Sequence, residues 1–196
     1  MTVRQKILKA VYPIWVPIAK IAGRNSKVIS NKNHSSPTHS IYDLSFTLNN
    51  GKEQKLADFK GKKILLVNTA SDCGYTPQYD DLEKIFQKYG NKVIVLGFPA
   101  NDFKEQEKGD DAQIAEFCKV NFGVTFPLAR KSTVIKGQNQ DPVFRWLSNK
   151  SENGWNDQQP SWNFSKYLID ENGVLTNYFD PSISPSSKEV IDALEK

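Results

Sequence analysis

Short apolar runs alternate with polar, turn-rich segments along most of this 196-residue chain. Residues 63–67, in which four apolar residues follow Lys63, and the continuous apolar run at 93–96 are of the kind that form buried strands. Between them, residues 77–89 repeat apolar side chains at helical spacing, and Gly90 is typical of a helix end. A strand, a crossover helix and a second strand make a parallel pair with a right-handed connection. The pattern therefore predicts an α/β fold.

Further elements are predicted from the same kinds of pattern. Residues 42–48 alternate apolar and polar side chains and lead into an Asn-Asn-Gly turn at 49–51, which is typical of a hairpin. The remaining predicted elements are a short helical turn at 56–59, helices at 111–120, 142–147 and 186–196, a loop at 148–160, and a second hairpin at 167–179. The chain is long enough for one ordinary domain with its own core.

The N-terminal part of the chain differs from the rest in charge. Residues 1–30 hold six lysines and arginines and no acidic residue, so the net charge of +4 comes from this part. The apolar stretch at 10–22 is interrupted by Pro13, Pro17 and Lys20. It is also shorter than the roughly 20 apolar residues that a membrane-spanning helix needs.

Three interpretations of residues 1–24 remain open. An interfacial anchor would place aromatic side chains such as Trp15 among lipid headgroups. A tail would pack on the domain or stay mobile, and a signal peptide would be removed. Residues 25–40 are polar and rich in Ser and Asn, which predicts a linker. The extension and linker thus fill residues 1–40, and the predicted domain fills 41–196.

The composition excludes several classes of protein. Two cysteines are too few for a secreted scaffold held together by disulfides. The two histidines, His34 and His39, lie in the polar stretch, where a solvated side chain is the expectation. We therefore expect no metal site and no cofactor. A nucleic-acid partner is not expected either, because the basic residues lie outside the predicted domain.

Cys73 lies in a loop between the end of a predicted strand and the start of a predicted helix. Thr76 and Pro77 are typical of an N-cap and the first helical position. The positive end of a helix dipole favours a thiolate over a thiol, so a lowered pKa is expected for Cys73. The alternative is a small buried cysteine that only packs.

Four segments of the chain resemble glutathione peroxidases, in order and at matching spacing. They are VNTASDCGYTPQY around Cys73, VLGFPANDFKEQE around Gln106, AEFCKVNFGVTFP around Cys118, and SWNFSKYLID around Trp162 and Asn163. The resemblance covers residues 42–195. It implies a thioredoxin-like α/β fold, with a central mixed β-sheet flanked by helices, behind the N-terminal extension.

The resemblance also implies peroxide reduction at Cys73, with Gln106, Trp162 and Asn163 as the other catalytic residues. The indole and the two carboxamides are neutral donors that can stabilise a thiolate and a leaving oxygen. Taken singly, Trp162 could be a core aromatic residue and Gln106 a solvated loop residue.

The chain departs from the family in the loop before Gln106. Many members have Cys-Asn-Gln where this chain has Ala100-Asn101-Asp102. Lys104-Glu105 replaces a Gly-Gly pair, and Lys108 replaces a proline. We expect activity to survive these changes and the charged loop to affect which peroxide enters.

Cys118 stands where thioredoxin-dependent members of the family carry a resolving cysteine. That role requires a disulfide with Cys73, for which the Cα atoms must lie within about 7 Å. We expect the helix at 111–120 to unwind for this step, with Gly109 and Gly123 as hinges. The alternative is a Cys118 that belongs only to the core.

The expected activity is reduction of hydrogen peroxide and of organic or lipid hydroperoxides. Residues 148–161 lack the long insertion of glutathione-using tetramers, so thioredoxin is expected as reductant ahead of glutathione, and the chain as a monomer. The expected location is the cytoplasm, with membrane contact through residues 1–24 and an exported form left open. The alternatives are a redox sensor or thiol-disulfide relay, a disulfide isomerase, and a non-catalytic binding module. A disulfide isomerase needs Cys-x-x-Cys, and Thr76 stands where the second cysteine of that motif would be.

Overall fold

The computed structural model describes residues 1–21, 23 and 26–196, without the side chains of residues 15–17 and 19–21. The strands are β1 (Val28–Ser30), β2 (Ser45–Thr47), β3 (Glu53–Lys55), β4 (Lys63–Thr69), β5 (Val93–Pro99), β6 (Lys166–Ile169) and β7 (Leu175–Phe179). The helices are α1 (Val3–Ile21), α2 (Gln78–Tyr89), α3 (Asp111–Phe122), α4 (Pro142–Leu147), α5 (Lys150–Asn153) and α6 (Lys188–Glu195). The predicted strands, helical turn and both hairpins therefore form close to their predicted positions.

A five-stranded mixed sheet in the order β1-β7-β6-β4-β5 forms the centre of the molecule. β4 runs parallel to β5 and antiparallel to β6. Every residue of β4 and β5 is buried, because both faces of the sheet are covered. Leu65 and Val67 pack against α2, α3 and α6 on one face. Ile64 and Leu66 pack against α4 on the other.

Two predicted loop segments contain regular structure. The predicted linker at 25–40 includes β1, which pairs with β7 through Val28 and Phe179 at the edge of the sheet. The predicted loop at 148–160 includes α5, which Asn149 caps by accepting a hydrogen bond from the Ser151 amide. Elements of three and four residues are too short to show a hydrophobic period. The central sheet consequently includes a strand, β1, that precedes the predicted domain boundary at residue 41.

The N-terminal extension forms α1, a helix that continues through Pro13 and Pro17. Among the residues that the structure describes, no helix is both long enough and apolar enough to cross a membrane. The predicted membrane contact involves the Trp15 side chain, which is not among the side chains that the structure describes. Ala22 and Arg24 of the predicted basic segment lie outside the described residues.

Candidate active site

The loop that follows β4 holds Cys73 in place through hydrogen bonds within the loop. The Cys73 amide donates to Thr76 Oγ1 at 3.0 Å, and the Thr76 hydroxyl donates to the Ala70 carbonyl at 2.8 Å. The Tyr75 amide donates to the Cys73 sulfur at 3.4 Å. The prediction that Thr76 is the N-cap of the next helix is wrong, because its hydroxyl is used inside this loop and Pro77 takes the N-cap position.

The expectation of a lowered thiol pKa is also wrong for this state of the protein. Cys73 is only 1% exposed. Burial raises the pKa of Cys73 to about 11, although hydrogen bonds from the Tyr75 amide and the Asn163 and Trp162 side chains act in the opposite direction. Removing the thiolate from water costs more than these donors return. Burial in this geometry therefore favours the thiol over the thiolate.

Asn68 on β4 positions the segment that carries Trp162 and Asn163. The Asn68 side chain donates to the Trp162 carbonyl at 3.1 Å. The Phe164 amide donates to the Asn68 carbonyl at 2.6 Å. Phe164 has a φ of 67°, a left-handed conformation that is uncommon for a bulky residue. This turn brings the side chains of Trp162 and Asn163 to Cys73.

The structure brings all four predicted catalytic residues together. The side chains of Trp162 and Asn163 lie close enough to the Cys73 sulfur to lower the pKa of its thiol. The side-chain carboxamide of Asn163 donates to Gln106 Oε1 at 3.0 Å. Gln106 lines the same cavity as Cys73 and Trp162. The Gln106 carbonyl accepts from the Asp72 amide at 3.0 Å, which ties the two loops together. The site therefore holds neutral donors around one sulfur, while the roles of these residues remain predictions.

The loop before Gln106 keeps a backbone path that suits glycine. Lys104 and Glu105 have φ angles of 52° and 51° at the positions where the family commonly has glycines. A left-handed conformation costs a side-chain-bearing residue about 1–2 kcal/mol. This path places the Lys104 ammonium 5.8 Å from the Trp162 ring centroid, and the Phe103 ring lies 5.4 Å from the same indole. The strained loop thus supports the indole that faces Cys73.

Cys118 lies on the buried side of α3, in the same hydrophobic core as Cys73. Both cysteines are free thiols. Burial raises the pKa of Cys118 to about 12; a hydrogen bond with Tyr79 lowers it and the nearby Glu107 raises it. α3 ends at Gly123, which has a left-handed φ of 63°. The resolving role and the unwinding of α3 remain predictions.

Glu107 lies beside the site, although no sequence pattern indicated it beyond its position next to Gln106. Glu107 is 1% exposed, and its carboxylate accepts a hydrogen bond from the Ser71 hydroxyl at 3.1 Å. Burial raises the pKa of Glu107 to about 7; the hydrogen bonds from Ser71 and the charge of Lys131 only partly oppose this. A charged residue in a polar loop is usually solvated, so its burial could not be read from the chain.

α1 also contributes residues to the surroundings of Cys73. Arg4 forms an ion pair with Asp72, the neighbour of the cysteine, at 2.6 Å, and the Gln5 side chain donates to the Ser71 carbonyl at 3.0 Å. Among the interpretations left open for residues 1–24, packing on the domain is the one whose contacts the structure shows.

Comparisons with known proteins agree with this geometry. The sequence model of the family described as glutathione peroxidase matches residues 41–148. Glutathione peroxidase-like peroxiredoxin 2 of Saccharomyces cerevisiae is 43% identical over 162 residues, covering 81% of this chain and 99% of the relative. Glutathione peroxidase homolog BsaA of Staphylococcus epidermidis is 45% identical over 147 residues, covering 74% of this chain and 92% of the relative.

The fold is similar to that of solved structures as well. The crystal structure of Trgpx in its apo form matches with a TM-score of 0.61 and 32% identity, covering 81% of this chain and 97% of that one. The predicted thioredoxin-like fold is confirmed. The family match at 41–148 includes Cys73, Gln106 and Cys118, whereas α1 lies outside it.

Proposed function

The chain belongs to the glutathione peroxidase family and is a thiol peroxidase, and from this premise we propose that Cys73 reduces hydrogen peroxide and organic or lipid hydroperoxides. In the proposed cycle Cys118 resolves the oxidised Cys73, and thioredoxin, or glutathione in its place, restores both thiols. The observation that carries the proposal is the convergence of Gln106 and Trp162 on the cavity at Cys73, with Asn163 donating to Gln106 Oε1 at 3.0 Å.

The chemical step transfers the proton of the Cys73 thiol to the leaving oxygen. The sulfur attacks one peroxide oxygen, so that an S–O bond forms while the O–O bond breaks. The leaving oxygen takes the thiol proton and departs as water or an alcohol, and Cys73 becomes a sulfenic acid. Negative charge develops on the leaving oxygen during this step, and the N–H groups of Trp162, Asn163 and Gln106 are donors that can stabilise it.

The resolving step joins the two cysteines of the chain. The Cys118 thiol attacks the sulfenic sulfur, an S–S bond forms, and water leaves. A dithiol protein such as thioredoxin then reduces the disulfide and becomes oxidised itself. Because Cys118 lies in the interior on α3, this step requires α3 to open, with Gly109 before the helix and Gly123 at its end as the proposed hinges.

Mass spectrometry after one equivalent of hydrogen peroxide tests this cycle. In the wild-type protein we expect a disulfide that links the peptides containing Cys73 and Cys118. The Cys118→Ser variant changes one atom, and we expect it to stop at a Cys73 that has gained one oxygen. If the wild-type protein forms no such bridge, Cys118 is not the resolving residue. A bridge without steady-state turnover by thioredoxin and its reductase would favour a redox relay instead.

We further propose that α1 contacts an anionic lipid surface. One side of the helix exposes five large apolar residues, and the helix carries no acidic residue. Their exposed fractions are Val3 76%, Ile7 57%, Val11 44%, Ile14 67% and Ile18 59%. A helix with an apolar side and basic flanks lies in the interface of such membranes. Cytoplasmic location and the monomeric state stay predictions.

Replacing Ile14 by aspartate is expected to weaken binding to phosphatidylcholine vesicles that contain phosphatidylglycerol by about tenfold, because a carboxylate would enter the headgroup region of an anionic surface. Co-sedimentation with the vesicles measures this. Val120→Asp on α3 is the matched control, since Val120 is 72% exposed and lies outside α1. Equal binding of the two variants would contradict the lipid contact.

A further inference from the structure

Polar contacts hold α1 across the Cys73 site along its N-terminal half. Besides the contacts of Arg4 and Gln5, the Lys9 ammonium pairs with Asp80 of α2 at 3.0 Å. The same ammonium lies 4.4 Å from the centre of the Phe122 ring, at the end of α3. These contacts fix α1 to both helices beside the reactive loop, so the side of α1 that faces the domain has a defined position.

A cavity of about 280 Å³ opens between α1 and Cys73. Leu8, Val11 and Tyr12 of α1 line one side of it, and Tyr75 and Trp162 line the other. A water molecule occupies about 30 Å³ of liquid, so the cavity is several times larger than hydrogen peroxide requires. Most of the lining is apolar or aromatic, with Arg4 and Gln106 as the polar members, and such a mixture is typical of sites that bind organic molecules.

We propose that Leu8, Val11 and Tyr12 form a substrate subsite that selects hydroperoxides with an apolar organic group. The inference rests on the proposed function of Cys73 and adds residues that lie outside the family match at 41–148. The O–O group would meet the sulfur of Cys73 while the organic group lies along α1. Hydrogen peroxide has no apolar surface to bury there, so the subsite changes the preference between substrates.

Val11 offers the sharpest test because it lines the cavity and is still 44% exposed, so its replacement disturbs little packing. In Val11→Asp, kcat/KM for cumene hydroperoxide relative to hydrogen peroxide is expected to fall roughly tenfold, because a hydrated carboxylate would replace apolar contact. Val11→Trp narrows the cavity without adding charge and is expected to lower the same ratio. Steady-state assays of the full chain in lipid-free buffer measure both.

Ala10→Asp is the matched control. It adds the same charge to the same helix at an exposed position that does not line the cavity, and its ratio is expected to equal that of the wild type. A Val11→Asp ratio within twofold of the wild type overturns the subsite, and so does an equal fall in Ala10→Asp. A wild-type protein that reduces neither peroxide would instead refute the proposed function, so the two failures are distinguishable.

Discussion

Replacing Cys73 by serine is expected to lower peroxide reduction at least about a thousandfold, because a hydroxyl is not oxidised by peroxide and no other group in the site can take its place. The change is one buried atom among hydrogen bonds that do not require sulfur. The Thr76 hydroxyl would still accept a hydrogen bond from the backbone amide of residue 73, as it does at 3.0 Å in the wild type. Loss of peroxide consumption in a stopped-flow mixing experiment measures the effect.

Cys118→Ser is the control for the loss of a buried thiol. Cys118 is fully buried like Cys73, so the two variants remove equivalent atoms from one core. Only Cys118→Ser is expected to consume one equivalent of peroxide in the first turnover. Comparable first-turnover rates in the Cys73→Ser variant and the wild-type protein would show that the oxidised group lies elsewhere in the chain.

Most of the sheet and the assembly of the site could be predicted because their signals are local. β4 and β5 each contain a run of four apolar residues, at 64–67 and 93–96, and each ends in a loop that the resemblance connects with chemistry. The hydrogen bond from Asn163 to Gln106 joins motifs that are far apart in the chain but lie at the same end of the sheet. Cys73 and Gln106 follow the carboxyl ends of the parallel strands β4 and β5, and Asn163 reaches the same end because it precedes β6, which runs antiparallel to β4.

Features that depend on tertiary surroundings could not be predicted. The pKa of Cys73 is set by burial, which the helix-end environment does not reveal and which outweighs the donors. The pairing of Val28 with Phe179 depends on a strand edge more than 140 positions away in the chain, since the register is fixed only in three dimensions. The placement of α1 likewise depends on partners such as Asp72 and Asp80, which carry no local signal of their role.

Replacing Asn163 is the second change for which we expect a large loss of activity. Asn163 influences the Cys73 thiol and is hydrogen-bonded to Gln106, another proposed donor of the site. Asn163 is fully buried, its side chain lowers the pKa of the nearby Cys73 thiol, and it donates to Gln106 Oε1 at 3.0 Å. Aspartate has the same shape but no N–H group, and its charge would face both the sulfur and the Gln106 oxygen. Loss of one such donor costs about a hundred- to a thousandfold in rate. A like charge also opposes the developing anion, so we expect about a thousandfold slower sulfenic acid formation in Asn163→Asp.

The loss of rate in Asn163→Asp is expected to be larger at high pH than at low pH. Burial raises the pKa of a new aspartate above its ordinary value of about 3.9. Below that pKa the carboxyl is neutral and regains one O–H donor; above it the carboxylate has none and is charged. The ratio of wild-type to variant rate should therefore be larger at pH 8 than at pH 5. Rapid-mixing measurements of the first turnover across this range provide the ratio.

Asn156→Asp separates this effect from a general cost of placing aspartate in the interior. Asn156 is 2% exposed and donates to the Leu147 carbonyl at 2.7 Å, so its replacement also buries a carboxylate that lacks its donor. Both variants should lose thermal stability, but only Asn163→Asp should lose first-turnover rate in the folded protein. A rate deficit below tenfold in Asn163→Asp, unchanged between pH 5 and pH 8, would mean that the carboxamide does not touch the reacting atoms. The N–H groups of Trp162 and Gln106 would then be the donors left to stabilise the leaving oxygen.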